Sequence, residues 1–190
     1  MTRWLPAALL AVTLVPAAAQ AQVDGFRVEA GAVWLTKSGT LKLGTDLVES
    51  DAGWAGRARV RYGFGFLSVA ADLQESSQGY GKPAGPGAPQ NLDNTWLGAV
   101  VALHPFAFGG IAPYLEIGVG KLFYSDQHID TEHGGTASSY GLGVLLGGES
   151  RVMLDVELRL LRQSGLRVEG TVREFEYDPK LLSAMISIRF

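Results

Sequence analysis

The chain has 190 residues, 25 glycines, no cysteine and a formal net charge of −3 at pH 7, and its mean hydropathy is slightly positive at +0.14. The absence of cysteine excludes a disulfide framework, and an acidic chain without a basic cluster argues against nucleic acid as a partner. The length suits a single domain.

The first element is an apolar stretch from Trp4 to Ala19, which follows Arg3 and ends in Ala19-Gln20-Ala21. This arrangement predicts a cleaved secretory signal peptide over residues 1–21, so that residues 22–190 form the exported domain. After the signal no apolar run approaches the roughly 20 residues that a membrane helix needs. An exported chain of this composition favours β structure with one apolar face.

Alternation of apolar and polar residues with a period of two begins at Phe26 and returns up to the C-terminus, which predicts β-strands. The segments with this alternation are residues 26–36, 54–62, 66–76, 112–124, 140–146, 152–160 and 182–190. In residues 94–104 both the odd-numbered and the even-numbered positions are largely apolar. They predict an eighth strand, but the sequence leaves open which side chains face inward.

The connections between these eight strands alternate in length. Short connections lie at residues 63–65, 105–110 and 147–150, and long ones at residues 37–53, 77–93, 125–138 and 163–180. In an up-and-down meander alternate connections share a rim, so all long loops fall on one side. The predicted fold is all-β, an eight-stranded antiparallel up-and-down transmembrane β-barrel.

The same alternation would suit a soluble secreted barrel, and the aromatic residues discriminate between the two. Trp34, Trp54, Phe123 and Tyr140 fall at the long-loop ends of their strands, and Phe26, Tyr62, Phe66 and Phe190 at the short-turn ends. Eight residues from Phe26 to Trp34 span about 20 Å when tilted, which matches the apolar band between two aromatic girdles.

With lipid outside, the charged residues point into an enclosed lumen. Six arginines then face five acidic residues: Arg27, Arg57, Arg59, Arg61, Arg159 and Arg189 against Glu29, Asp72, Glu116, Asp155 and Glu157. Because buried charges must be paired and eight strands leave room only for side chains, we predict a lumen plugged by ion pairs.

Several segments resemble the small outer-membrane β-barrels of the OmpA and OmpX kind. They are "PYLEIGVG" (113–120), "SYGLGVLLGG" (139–148) before "VMLDVELRLL" (152–161), and the closing "MISIRF" (185–190). The resemblance implies a monomer in the outer membrane of a Gram-negative-type bacterium, among outer-membrane lipids and lipopolysaccharide. It also implies that the last strand, ending in Phe190, is read by the barrel-assembly machinery.

The sequence indicates catalytic or metal-binding sites much less clearly than it indicates the fold. Lipid A deacylases share this strand plan and carry a His-x-Ser pair, but His104, His128 and His133 are not followed by such a serine, and Ser164 has no adjacent histidine base. In the loop "HIDTEH", His128, Asp130, Glu132 and His133 form a possible cation set on a flexible backbone, and whether they bind a cation stays open.

We therefore expect a non-enzymatic barrel without cofactor, metal or catalytic residues, which contributes to envelope integrity or surface interaction through four long loops. The segment "REFEY" (173–177) is expected to extend the last hairpin beyond the membrane and to offer an edge to partners. Two alternatives remain: an enzyme that modifies lipid A, and a narrow channel for small solutes.

Overall fold

The computed structural model describes residues 23–36, 39–43, 46–49, 51–79, 91–126, 129–147, 150–163, 166–167, 173–177 and 179–190. Among the described residues there is no helix with the length and apolar character of a membrane span. The secondary structure consists of strands: β1 (Gly25–Leu35), β2 (Gly39–Leu43), β3 (Asp46–Glu49), β4 (Gly53–Phe64), β5 (Leu67–Gly79), β6 (Asn91–Leu103), β7 (Ile111–Asp126), β8 (Ile129–Leu146), β9 (Val152–Gln163), β10 (Leu166–Arg167), β11 (Arg173–Tyr177) and β12 (Lys180–Arg189).

Eight of these strands close into one antiparallel barrel, in the order β1-β4-β5-β6-β7-β8-β9-β12, with β12 paired to β1. The predicted eight-stranded up-and-down barrel is confirmed. Each residue of the wall has a hydrogen-bonding register partner on the next strand. When these partners are followed from strand to strand once around the barrel, the path that starts at Gly25 on β1 returns to β1 at Leu35, which is ten residues nearer the long-loop rim. This offset means that the strands are tilted against the barrel axis, as closure requires.

The short connections lie at one rim, as predicted. Their glycines adopt the left-handed backbone that other residues avoid, with φ of 64° at Gly65 and 58° at Gly109. At the same rim the chain ends against β1, because Phe190 N donates to Phe26 O at 2.9 Å and the two rings lie 6.0 Å apart. The C-terminal residue is therefore held by the strand that closes the barrel.

A second sheet lies at the long-loop rim and joins the first long connection to the last. Its order is β10-β11-β2-β3, with β11 paired to β10 on one side and to β2 on the other. The prediction that residues 173–177 offer a free edge was wrong, because the hairpin β2–β3 occupies that edge. The outer strands of this sheet are β3 and β10.

The wall alternates as the sequence predicted. On β4 the residues Arg57, Arg59 and Arg61 are buried in the lumen, whereas Trp54 is 69% and Tyr62 55% exposed on the outside. Other predicted girdle residues are exposed too: Phe26, Trp34, Phe66, Tyr140 and Phe190.

The facing of residues 94–104, which the sequence left open, follows from the pairing of β6. Its register with β5 and β7 turns Trp96, Val100 and His104 into the lumen and Leu97 and Val101 outward. The sequence could not assign this facing, because both faces of the strand are apolar here. On the inner face Trp96, Val100 and Ala102 are buried, and on the outer face Leu97, Val101 and Leu103 are exposed.

Candidate functional site

The centre of the lumen holds a buried network of opposite charges. Five arginines and five acidic residues are each at most 3% exposed: Arg27, Arg57, Arg59, Arg61 and Arg159, with Glu29, Asp72, Glu116, Asp155 and Glu157. The sixth predicted arginine, Arg189, is half-buried at the short-turn rim, opposite Arg27 in the register. The network is balanced, as buried charges require.

A two-pronged contact of the network joins β4 to β5. Arg57 donates from Nε to Asp72 Oδ1 at 2.9 Å and from Nη2 to Asp72 Oδ2 at 3.0 Å. Arg159 from β9 donates to the same carboxylate, and Arg57 Nη1 reaches Glu157 Oε1 at 2.9 Å. Because these residues come from three strands, the pairs cross-link the wall through the interior, and the two-pronged Arg57–Asp72 contact fixes the geometry.

Two further arginines continue the network toward the short-turn rim. Arg59 lies 3.2 Å from Glu116 and 3.1 Å from Glu157, and Arg61 lies 3.1 Å from Glu29. Each of the five acidic residues thus contacts at least one arginine, with Asp155 lying 3.7 Å from Arg61. Arg57, Arg59, Arg61 and Arg159 form the predicted ion pairs, whereas buried Arg27 forms none with a described residue, and its Nε and Nη2 have no hydrogen-bond partner there.

Tyr114 binds two carboxylates at once, and the sequence did not single it out. Its hydroxyl lies 2.6 Å from Asp155 Oδ1 and 2.9 Å from Glu157 Oε2, so it can donate its proton to either. The ring occupies the space above Gly143, its register partner on β8, where a Cβ atom would lie 2.4 Å from the ring. The signal in the sequence was the run of glycines on one parity of β8, which leaves room for large side chains opposite.

Apolar layers lie above and below the charges. On the long-loop side the layer includes Trp96, and the Arg159 guanidinium stacks over its ring with Cζ 5.3 Å from the ring centroid. Its other members are Val33, Leu35, Leu122, Leu161 and Leu181. On the short-turn side a cluster is formed by Val23, Ala112, Leu145 and Met153. Buried side chains therefore line the described lumen along its length.

The lumen also contains a serine–histidine contact that the sequence analysis missed. Ser68 Oγ lies 3.0 Å from His104 Nε2, because β5 and β6 pair with Ser68 opposite Ala102. Arg61 Nη1 donates to the same hydroxyl at 3.2 Å. Both residues are at most 1% exposed, and no described acidic residue bonds to His104 Nδ1. The pair lacks the orienting acid and the substrate access of a catalytic site.

The remaining candidate site residues have side chains that the structure does not describe. This applies to Ser164 and to the possible cation set of His128, Asp130, Glu132 and His133. Where side chains are described, no group of three or more residues could hold a metal ion.

Comparison with known proteins agrees with this architecture. The profile of the family "Outer membrane protein beta-barrel domain" matches residues 7–190. The fold is similar to the crystal structure of Neisserial surface protein A, with 18% identity, a TM-score of 0.64 and coverage of 88% of this chain and 98% of that one. It is also similar to the solid-state NMR structure of the outer membrane protein AlkL, with 17% identity, a TM-score of 0.54 and coverage of 92% and 94%.

No curated protein sequence matches the chain significantly. The two structures are too distant in sequence to carry a function, so they support the fold alone. The family profile covers nearly the whole chain, and the charges and aromatic residues lie where a membrane barrel requires them. The chain belongs to the outer membrane β-barrel family and is an eight-stranded barrel of the Gram-negative outer membrane.

Proposed function

We propose that the protein is a non-conducting, non-enzymatic barrel that acts at the cell surface, in envelope integrity or in contact with a partner. The observation that carries this proposal is the network of ion pairs in the lumen. Its central charges are neutralised by one another, and Trp96 and Leu35 belong to an apolar layer above them. An ion would have to break this network and displace the layer, and both steps are costly.

The long-loop rim is the part of the molecule that supports a surface role. The sheet β10-β11-β2-β3 links the first and last long connections by main-chain hydrogen bonds. Loops held in this way are presented by a rigid scaffold, which is the usual arrangement of binding loops. The enclosed Ser68–His104 pair offers no nucleophile to a lipid, which favours a non-enzymatic role over modification of lipid A.

The conductance half of the proposal is tested by recordings in planar lipid bilayers. The refolded full chain should give silent membranes under conditions in which a wide porin gives steps. Reproducible unitary steps from the chain would contradict the proposal and favour the small-solute channel. A lipase and deacylase assay on the same preparation should give no product, and turnover abolished by Ser68→Ala would assign an enzyme instead.

The surface half is tested by complementation of a strain that lacks the protein. A variant in which residues 39–49 are replaced by a short Gly/Ser connection removes β2 and β3 and leaves every strand pair of the barrel intact. We expect this variant to reach wild-type levels in the outer membrane and to fail in detergent resistance or in surface attachment. If it restores both phenotypes fully, the function does not reside in this sheet.

A further inference from the structure

The outer wall of the barrel carries an apolar groove of about 350 Å³ that the proposed function does not use. It runs over β7, β8 and β9 to the start of β12. The outward side chains along it are those of Leu115, Tyr140, Leu142, Leu158, Leu160 and Lys180. The groove begins at the long-loop side, where Lys180 lies, and extends toward the middle of the membrane at Leu115.

Lys180 on β12 lines the upper end of the groove, and two further exposed cations lie on strands that form it, Lys121 on β7 and Arg162 on β9. In the register Lys121 lies opposite Thr136, Arg162 opposite Ser138, and Lys180 opposite Leu160. Because the strands are tilted, the register partner of a residue on the next strand, going from β7 to β12, lies slightly nearer the long-loop rim than the residue itself. The shift is a little over one residue per strand, since the total offset is ten residues around eight strands. With this shift, the three cations lie at about the same depth.

These three side chains form no ion pair with any described residue. The remainder of the wall at this depth is different in character, with Trp34 and Trp54 on β1 and β4 and the exposed carboxylate Glu75 on β5. Among the described side chains at this depth, positive charge is therefore confined to one arc of the belt, above the groove. We call Lys121, Arg162 and Lys180 the cationic arc.

We propose that the cationic arc and the groove together bind one outer-leaflet lipid whose sugar headgroup carries two phosphates, as in the lipid A part of lipopolysaccharide. Arg162 and Lys180 lie on neighbouring strands and hold one phosphate between them. Lys121 is two strand spacings from β9, roughly 10 Å away, and holds the second phosphate. One acyl chain lies in the groove against Leu142 and Leu158.

The chemistry of the site fits this lipid in two respects. Lysine and arginine near a membrane surface attract phosphates, and arginine can contact two phosphate oxygens at once. The groove lies directly below the charges, so the headgroup and an acyl chain of the same molecule can bind together. The sequence did not reveal this site, because its three cations are far apart along the chain and meet only through the tilt of the strands.

The test uses the refolded full chain in detergent micelles, titrated with bis-phosphorylated lipid A and observed by native mass spectrometry. The triple variant Lys121→Gln, Arg162→Gln and Lys180→Gln should lose affinity about 100-fold, at about fivefold per cation. The matched control Arg151→Gln removes an exposed cation beside the short turn at residues 147–150 and should keep wild-type affinity. Equal affinity of the triple variant and the control would overturn the proposal.

Two further arms identify the ligand. Dephosphorylated lipid A and phosphatidylglycerol should both bind the wild-type chain at least tenfold more weakly, and equal binding of either would overturn the assignment to two phosphates. Leu158→Trp fills the groove and should weaken lipid A binding, whereas Leu154→Trp on the same face of β9 should not. An unchanged affinity in Leu158→Trp would remove the groove from the site. None of these outcomes depends on whether the lumen conducts.

Discussion

Replacing Asp72 by asparagine tests whether the charge network holds the barrel together. The carboxylate accepts two hydrogen bonds from Arg57 at 2.9 and 3.0 Å and another from Arg159, and all three side chains are at most 1% exposed. The isosteric amide keeps the volume and removes the charge, so the two buried guanidinium groups of Arg57 and Arg159 lose a counter-charge that both contact. Breaking a buried pair in this way costs about 3–5 kcal/mol of the free energy of unfolding.

The measurement is urea unfolding of the refolded chain in detergent, followed by the mobility of unboiled samples on a gel. The control Glu75→Gln changes a carboxylate on the same strand that points outward and is exposed, and it should alter the free energy of unfolding by less than about 0.5 kcal/mol. If Asp72→Asn and Glu75→Gln unfold at the same urea concentration, the network fills the lumen without stabilising it, and the reasoning is wrong.

Three other substitutions give independent tests. Gly143→Ala places a Cβ atom 2.4 Å from the Tyr114 ring and should destabilise the barrel by about 1–3 kcal/mol, whereas Gly56→Ala, with nothing within 4 Å, should be neutral in the same urea titration. Tyr114→Phe should lower the free energy of unfolding by about 1–3 kcal/mol, because the carboxylates of Asp155 and Glu157 lose the hydroxyl that donates to them. An unchanged urea midpoint would contradict this. Phe190→Ala should lower the amount of protein in the outer membrane and barely change unfolding in detergent, since the ring is 69% exposed; normal assembly would show that the machinery does not read it.

Much of the wall could be predicted because its signal is local. On β4, arginines at 57, 59 and 61 alternate with apolar residues, and period two alone places them on one face. The same argument failed on β6, where Trp96 and Leu97 are equally apolar and only pairing with β5 and β7 separates them. It also failed for β11, because its second partner, β2, lies more than a hundred residues away in the chain.

The sequence by itself determined the class of the molecule. Its strands alternate apolar and polar residues, and it carries two aromatic belts and nearly balanced charges on the residues that face inward. This pattern arises because the outer face must be apolar in a membrane and the buried inward charges must be paired. Only the tertiary structure decided which charges meet. Arg57 with Glu157, Tyr114 with Asp155, and Lys121 at the depth of Lys180 are brought together by register and by the ten-residue offset of barrel closure. These quantities are properties of the closed sheet as a whole, so no single segment of the chain encodes them.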